Sequence, residues 1–157
     1  MKKSLRFANS NDCGLILEFI KGIAEYEKLA HMVEATEEIL QEWIFAKGAA
    51  EVIFACVDDR EIGFAVFCKN FSTFTGRAGL YLEDIFVLPE YRGLGFGKMM
   101  FNELAKIAVE RGYGRMDWVC LDWNKPSIDF YKQLNAEPLD EWTIWRLDEE
   151  KLRNFKV

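Results

Sequence analysis

A chain of 157 residues, half of them hydrophobic and with thirteen phenylalanines and five tryptophans, is long enough to bury one substantial core and reads as a single domain, 1–157. A net charge of −6 lacks the basic footprint of nucleic-acid binders. No run of about twenty apolar residues is present to span a membrane, and the N-terminus has no signal-peptide pattern. Cys13, Cys56, Cys68 and Cys120 are scattered without C-x-x-C spacing and His31 is the only histidine. The expectation is therefore a cytoplasmic protein with reduced thiols, no metal site and no Ser-His-Asp triad, so that any general base is a carboxylate, a tyrosine or water.

In chain order, Leu5–Ala8 reads as a short first strand. Asp12 is placed to cap a helix on which Ile16, Phe19, Ile20, Ile23 and Glu27 share a face. Thr36, followed by Glu37 and Glu38, opens a second helix with Ile39, Leu40, Trp43 and Ile44 inward. Strands Glu51–Val57 and Glu61–Phe71 flank an Asp58-Asp59-Arg60 turn. Tyr81–Leu88, rich in aromatic and branched residues, is the next strand; simple alternation sets Tyr81, Glu83 and Ile85 on one face and Leu82, Asp84 and Phe86 on the other. Met100, Leu104, Ile107 and Ala108 form the apolar stripe of a helix running to about Gly112. Arg115–Leu121 is a strand, Pro126 begins another helix, Asn135 ends it in a left-handed conformation, and Trp142–Leu147 is a last strand.

Between the Tyr81–Leu88 strand and the following helix stands Arg92-Gly93-Leu94-Gly95-Phe96-Gly97. Its glycines let backbone approach a ligand closely, and the amides opening the helix face outward with the positive end of the dipole behind them, as phosphate binding requires. Spacing narrows the ligand. A dinucleotide fingerprint needs glycine at 98, where Lys98 stands, and a triphosphate P-loop needs glycine at 92 and Ser or Thr at 99, where Arg92 and Met99 stand. On a chain this acidic, attraction for a polyanion has to be local, from loop amides, Arg92, Lys98 and Lys125, while the acidic surface suits a cationic substrate.

The run R-x-x-G-x-G resembles the acyl-CoA pyrophosphate loop of the GNAT superfamily of N-acetyltransferases. The element order β-α-α-β-β-β-α-β-α-β resembles it too, and implies an α/β fold with a mixed central sheet and helices on both faces. Tyr26-Glu27, Tyr81-Leu82-Glu83-Asp84, Tyr91-Arg92-Gly93 and Trp123-Asn124-Lys125-Pro126-Ser127-Ile128-Asp129-Phe130-Tyr131 closely resemble the diamine and polyamine N-acetyltransferases, including their thialysine-acetylating relatives. The resemblance implies acetyl-CoA as co-substrate, a small-molecule amine as acceptor, no metal and a homodimer. It implies coenzyme contacts at Ile85, Phe86, Val87, Arg92, Gly93, Leu94, Gly95, Phe96, Gly97, Lys98, Asn124, Ser127 and Tyr131. It makes Tyr131 the general acid for the departing thiolate and Tyr26, Glu27 and Glu83 the amine-binding group.

Chemistry assigns some of these roles independently. An aliphatic amine with a pKa near lysine's is the free nucleophile in only about one molecule in a thousand at neutral pH. A positioned base therefore helps, and Glu83, a carboxylate inside an apolar strand, is the candidate; the alternative is a carboxylate paired with a basic side chain. Asp84, on the opposite face by alternation, is expected to be structural. Glu27 is either an ammonium ligand beside Tyr26 or a solvated helix end. Tyr131 is either the acid or a core residue, and Asn124 and Ser127 are either coenzyme contacts or helix caps. Amides of the strand, those of Ile85 and Val87, would hold the thioester carbonyl. No cysteine motif supports a covalent intermediate, so direct attack in a ternary complex is expected. The alternatives are a non-enzymatic acyl-CoA sensor and an acetyltransferase of protein N-termini or lysines.

Overall fold

In the computed structural model, which describes residues 1–156, five strands line up in sequence order: β1 (Lys3–Phe7), β2 (Glu51–Val57), β3 (Arg60–Ser72), β4 (Arg77–Val87) and β5 (Met116–Asp117). The first four pair antiparallel and β5 joins β4 in parallel, so the sheet is mixed as expected. The β2–β3 connection is the two residues Asp58 and Asp59, both left-handed at φ 47° and 69°, the conformation a two-residue hairpin requires.

Register decides which helix covers which face. Phe54, Phe64 and Phe86 stand side by side on neighbouring strands, and α1 (Cys13–Tyr26) lays Phe19 on that row. The Phe19 ring stacks on Phe64 at 5.3 Å and reaches Phe54 and Phe86 at 6.1 and 6.4 Å. Each such buried side chain contributes roughly 1.5–3 kcal/mol, so the row fixes α1 firmly on the sheet. One turn on, a Cβ at Gly22 would come within 3.0 Å of the Phe86 ring, so glycine there lets the helix seat closely. The opposite face carries Ile53, Ala65, Phe67, Leu80 and Leu82, and α3 (Phe96–Glu110) packs on β2 and β4 with Phe96, Met100 and Leu104 buried. The expected stripe of Met100, Leu104, Ile107 and Ala108 is buried throughout.

Three local expectations are corrected. Asp12 does not cap α1: its carboxylate accepts from the Asn9 amide in a preceding capping box and pairs with Arg6 at 2.8 Å, which holds its pKa below the usual range. Thr36 does cap α2 (Glu37–Leu40), donated to by the Ile39 amide. A wider π turn over Gln41–Ala46 then shifts the helical period. Leu40, Ile44 and Phe45 reach the core, whereas Ile39 and Trp43 are exposed, with the Lys47 ammonium 4.0 Å over the Trp43 ring. The strand expected over Arg115–Leu121 shrinks to Met116–Asp117, and Trp118 leaves the sheet to pack edge-on against Phe101 at 5.1 Å.

The chain divides into two compact units, Met1–Val119 and Cys120–Val157. In the second, α4 (Lys125–Gln133) has Pro126 in its first turn and is followed by Asn135 at φ 62°, both as expected. Trp142–Leu147 is not a strand: alternation marks a segment able to pair, no strand among the described residues pairs with it, and Trp142, Ile144 and Trp145 are exposed. Asp148 instead caps a short helix, α5 (Glu149–Arg153).

Candidate active site

The decisive local feature of β4 is a bulge. Val66 pairs with Asp84 and Phe67 with Leu82, so Glu83 is one extra residue against β3. Alternation restarts there, and Leu82 and Asp84 fall on opposite faces. Leu82 follows Phe67 to the α3 side. Asp84 follows Val66, a member of the core beneath α1. Asp84 therefore keeps the face it shares with Phe86, as alternation expects, and the residue that departs from the expected face is Leu82. Asp84, expected to be structural, lies within electrostatic reach of Glu83 and Glu27, and the adjacent pair Glu83-Asp84 inside an apolar strand is its signal in the sequence.

The electrostatics follow from that placement. Burial, then the charges of Glu83 and Glu27, pushes the Asp84 carboxyl up to about 7. Glu27, directly after the last turn of α1, is itself raised by burial. The Tyr81 hydroxyl is raised by burial and then by Glu83. Glu27, Glu83 and Asp84 thus form one acidic cluster at the end of α1, with Glu83 the exposed member. Among the described residues no group of acids, histidines or cysteines converges closely enough to hold a metal ion.

Beside the cluster, one edge of β4 is open. β5 pairs only with Leu80 and Tyr81. The Leu88 amide donates to the Ile62 carbonyl of β3, and antiparallel alternation therefore turns the amides of Val87 and Ile85 away from β3, to the open edge. Phe86 turns its own amide to β3 and its ring into the core beneath α1, so it is the member of this trio not brought to the edge. Arg92 closes the end of that edge. Its Nε donates to the Val87 carbonyl at 2.8 Å, and its guanidinium lies 5.1 Å from the Tyr26 ring and 5.2 Å from Phe86. A cleft of about 630 Å³ opens where Tyr26 and Arg92 meet; Glu83 and Asp84 lie outside its lining.

The loop after β4 has the shape an anion requires. Gly93 and Gly95 are left-handed at φ 76° and 89°, and Gly95 is the residue from which α3 departs. No backbone carbonyl among the described residues accepts from the amides of Gly93, Leu94, Gly95, Phe96, Gly97 or Lys98. Unpaired amides in consecutive positions at the positive end of a helix form a cradle for a diphosphate, and the glycines keep side chains out of it. The residues present therefore fit the diphosphate of coenzyme A.

In the second unit, Asn124 is buried and caps α4, its Oδ1 accepting from the Ser127 amide at 3.4 Å. Tyr131 is half-buried in α4 with its ring 5.8 Å from that of Phe130. Lys125 is paired with Asp129 at 2.7 Å.

Comparison with known proteins gives a family. Residues 17–136 match the model of the acetyltransferase (GNAT) family. The chain is 37% identical to the thialysine N-epsilon-acetyltransferase of Bos taurus, over 96% of this chain and 95% of that protein. It is 42% identical to an L-ornithine N5-acetyltransferase of Arabidopsis thaliana over 58% of this chain and 40% of that one. Among solved structures, an integron cassette protein from the mobile metagenome of V. cholerae superposes with a TM-score of 0.80 at 26% identity, covering 98% of this chain and 97% of that one.

Proposed function

Since the chain belongs to the acetyltransferase (GNAT) family and is an N-acetyltransferase that uses acetyl-CoA, we propose that its acceptor is the terminal primary amine of a small cationic molecule of the thialysine, ornithine or diamine kind, attacked directly in a ternary complex. The names of its relatives supply the substrate class. The observation that carries the reading is the acidic cluster itself, in which buried Asp84 lies within electrostatic reach of both Glu83 and Glu27.

Such a cluster is an unfavourable arrangement for the protein alone. Asp84 keeps its proton up to about pH 7 because burial and two like charges oppose its ionisation. An arriving ammonium reverses that balance: it favours the ionised form of Asp84, and Asp84 and Glu27 then hold the cation. Only the neutral amine attacks, and collecting the proton from a group of pKa about 10.4 at neutral pH costs about 4 kcal/mol. Glu83, at the exposed end of the cluster, accepts that proton and passes it to water.

On the coenzyme side, the loop amides from Gly93 to Lys98 bind the diphosphate, and the outward amides of Ile85 and Val87 receive the thioester carbonyl, where negative charge develops during attack. Bound coenzyme supplies an activated acetyl group. Tyr131, from the Asn124–Tyr131 segment, is the donor for the departing thiolate, with Asn124 and Ser127 at the start of the same helix as further coenzyme contacts.

The test is an amine panel with acetyl-CoA and thiol detection: thialysine, lysine, ornithine, short diamines, spermidine, and peptides with free N-termini. The highest kcat/KM is expected among the small dications. A preference for peptides would overturn the substrate class. Absence of turnover with every amine, in a protein that binds acetyl-CoA, would make the chain a sensor.

A further inference from the structure

The shape of the coenzyme loop is held from the far edge of the sheet. Lys3, on β1, donates its ammonium to the Leu94 carbonyl. The same ammonium lies 4.9 Å over the Phe96 ring and 3.8 Å from where a Cβ on Gly95 would stand. Lys3 reaches the loop because the start of β1, the β2–β3 hairpin and the end of β4 share one end of the sheet, and because Lys3, paired with Val57, points to the face that α3 covers.

Two physical consequences follow. The Leu94–Gly95 peptide is trans, as are all peptide bonds among the described residues, so its carbonyl and its N–H point in opposite directions. A carbonyl drawn to Lys3 turns the Gly95 N–H to the other side of the loop. Gly95, without a Cβ, would not restrain that peptide by itself. The second consequence is electrostatic. The ammonium stands at the positive end of α3, where the helix dipole disfavours a cation and favours an anion. In the protein alone this placement opposes the dipole; a bound diphosphate relieves it.

We propose that Lys3 is a positioning residue of the coenzyme site: it holds the Leu94–Gly95 peptide so that the Gly95 amide faces the diphosphate, and its charge strengthens the loop's field for that anion. The proposal rests on the assignment of the Arg92–Gly97 loop to coenzyme A. It predicts an unusual pairing of effects. Removing Lys3 relieves the unfavourable placement in the free protein while weakening the complex.

The experiment compares the full-length wild type with Lys3→Met and Lys3→Arg. Titration calorimetry with coenzyme A reads affinity, thermal unfolding reads stability, and initial rates are measured with acetyl-CoA and with S-acetyl-pantetheine, which has the thioester but no diphosphate. Lys3→Met is expected to bind coenzyme A about tenfold more weakly, as for a lost hydrogen bond to a charged donor, with Tm unchanged or raised. Its kcat/KM should fall by the same factor with acetyl-CoA and stay unchanged with S-acetyl-pantetheine, and Lys3→Arg should recover most of the affinity. An affinity within twofold of wild type, or equal losses with both acyl donors, overturns the proposal. Failure of the loop assignment looks different: the wild type itself would show no diphosphate-dependent gain of coenzyme A over S-acetyl-pantetheine.

Discussion

The Arg92 guanidinium lies 5.1 Å from the centre of the Tyr26 ring, while its Nε holds the Val87 carbonyl at 2.8 Å. One side chain thereby joins the start of the Arg92–Gly97 loop, the last turn of α1 and the open edge of β4. Arg92 was expected from the sequence to face phosphate; the structure gives it a bridging position between the two sides of the site. Arg92→Lys keeps the charge and loses the planar stack and the Nε bond. KM for the amine and for acetyl-CoA should rise together, by about tenfold each, as expected for one cation–π contact and one charged hydrogen bond. Two-substrate steady-state kinetics checks this. A rise for acetyl-CoA alone would show that Tyr26 does not depend on Arg92.

Gly95 is constrained twice, by φ 89° and by the loop's need for clear space. Gly95→Val should cost roughly 1–2 kcal/mol of stability from the left-handed backbone alone. It should also abolish measurable coenzyme A binding, because the new side chain stands where the amides must approach the ligand. Chemical denaturation and calorimetry separate the two effects. A folded variant with unchanged affinity would remove the loop from the site.

Asp84 makes stability depend on pH in a direction opposite to that of most carboxylates. Its folded pKa of about 7 lies above the ordinary 3.8. Between those values the folded protein binds a proton that the unfolded chain has released. Stability from this group is therefore complete below about pH 4, declines as pH rises to about 7 and levels off above. Asp84→Asn removes that decline and should raise stability at pH 8 by about 1–3 kcal/mol, while raising KM for a cationic amine. Urea melts from pH 4 to 8 test the sign. A variant less stable than wild type at pH 8 would show that the ionised carboxylate is compensated in the free protein.

Glu83→Gln retains shape and removes a proton acceptor. The rate near neutrality should drop by roughly 10²–10⁴-fold, and the deficit should narrow as pH rises and free amine becomes abundant. A pH–rate profile with saturating acetyl-CoA is the measurement. Wild-type activity at pH 7 would leave the base role to Asp84.

Tyr131→Phe removes one oxygen with almost no change in packing. Coenzyme A affinity should hold, while kcat falls by about 10–10³-fold, a modest loss because a thiol of pKa near 8.5 leaves tolerably without a donor. Full activity would return Tyr131 to a packing role.

What the sequence determined by itself is local. The Arg92–Gly97 loop, the Thr36 cap, the Asp58-Asp59 turn, the stripe of α3 and left-handed Asn135 each depend on residues within a turn or two of one another, where sterics and hydrogen bonding act directly. The tertiary structure decided what depends on a second segment. The bulge at Glu83 is a mismatch of length between β3 and β4, so no pattern within β4 could reveal that Leu82 and Asp84 part company. Trp142–Leu147 alternates like a strand yet pairs with no strand among the described residues, and pairing is a property of two segments that alternation in one cannot reveal. Lys3 meets Leu94 across ninety-one positions of sequence, and Arg92 meets Tyr26 only because the Phe19 row seats α1 against β4. Local chemistry named the loop and the carboxylates; packing and register set which of them act together, because a carboxylate's charge and an amide's direction are properties of surroundings that distant segments build.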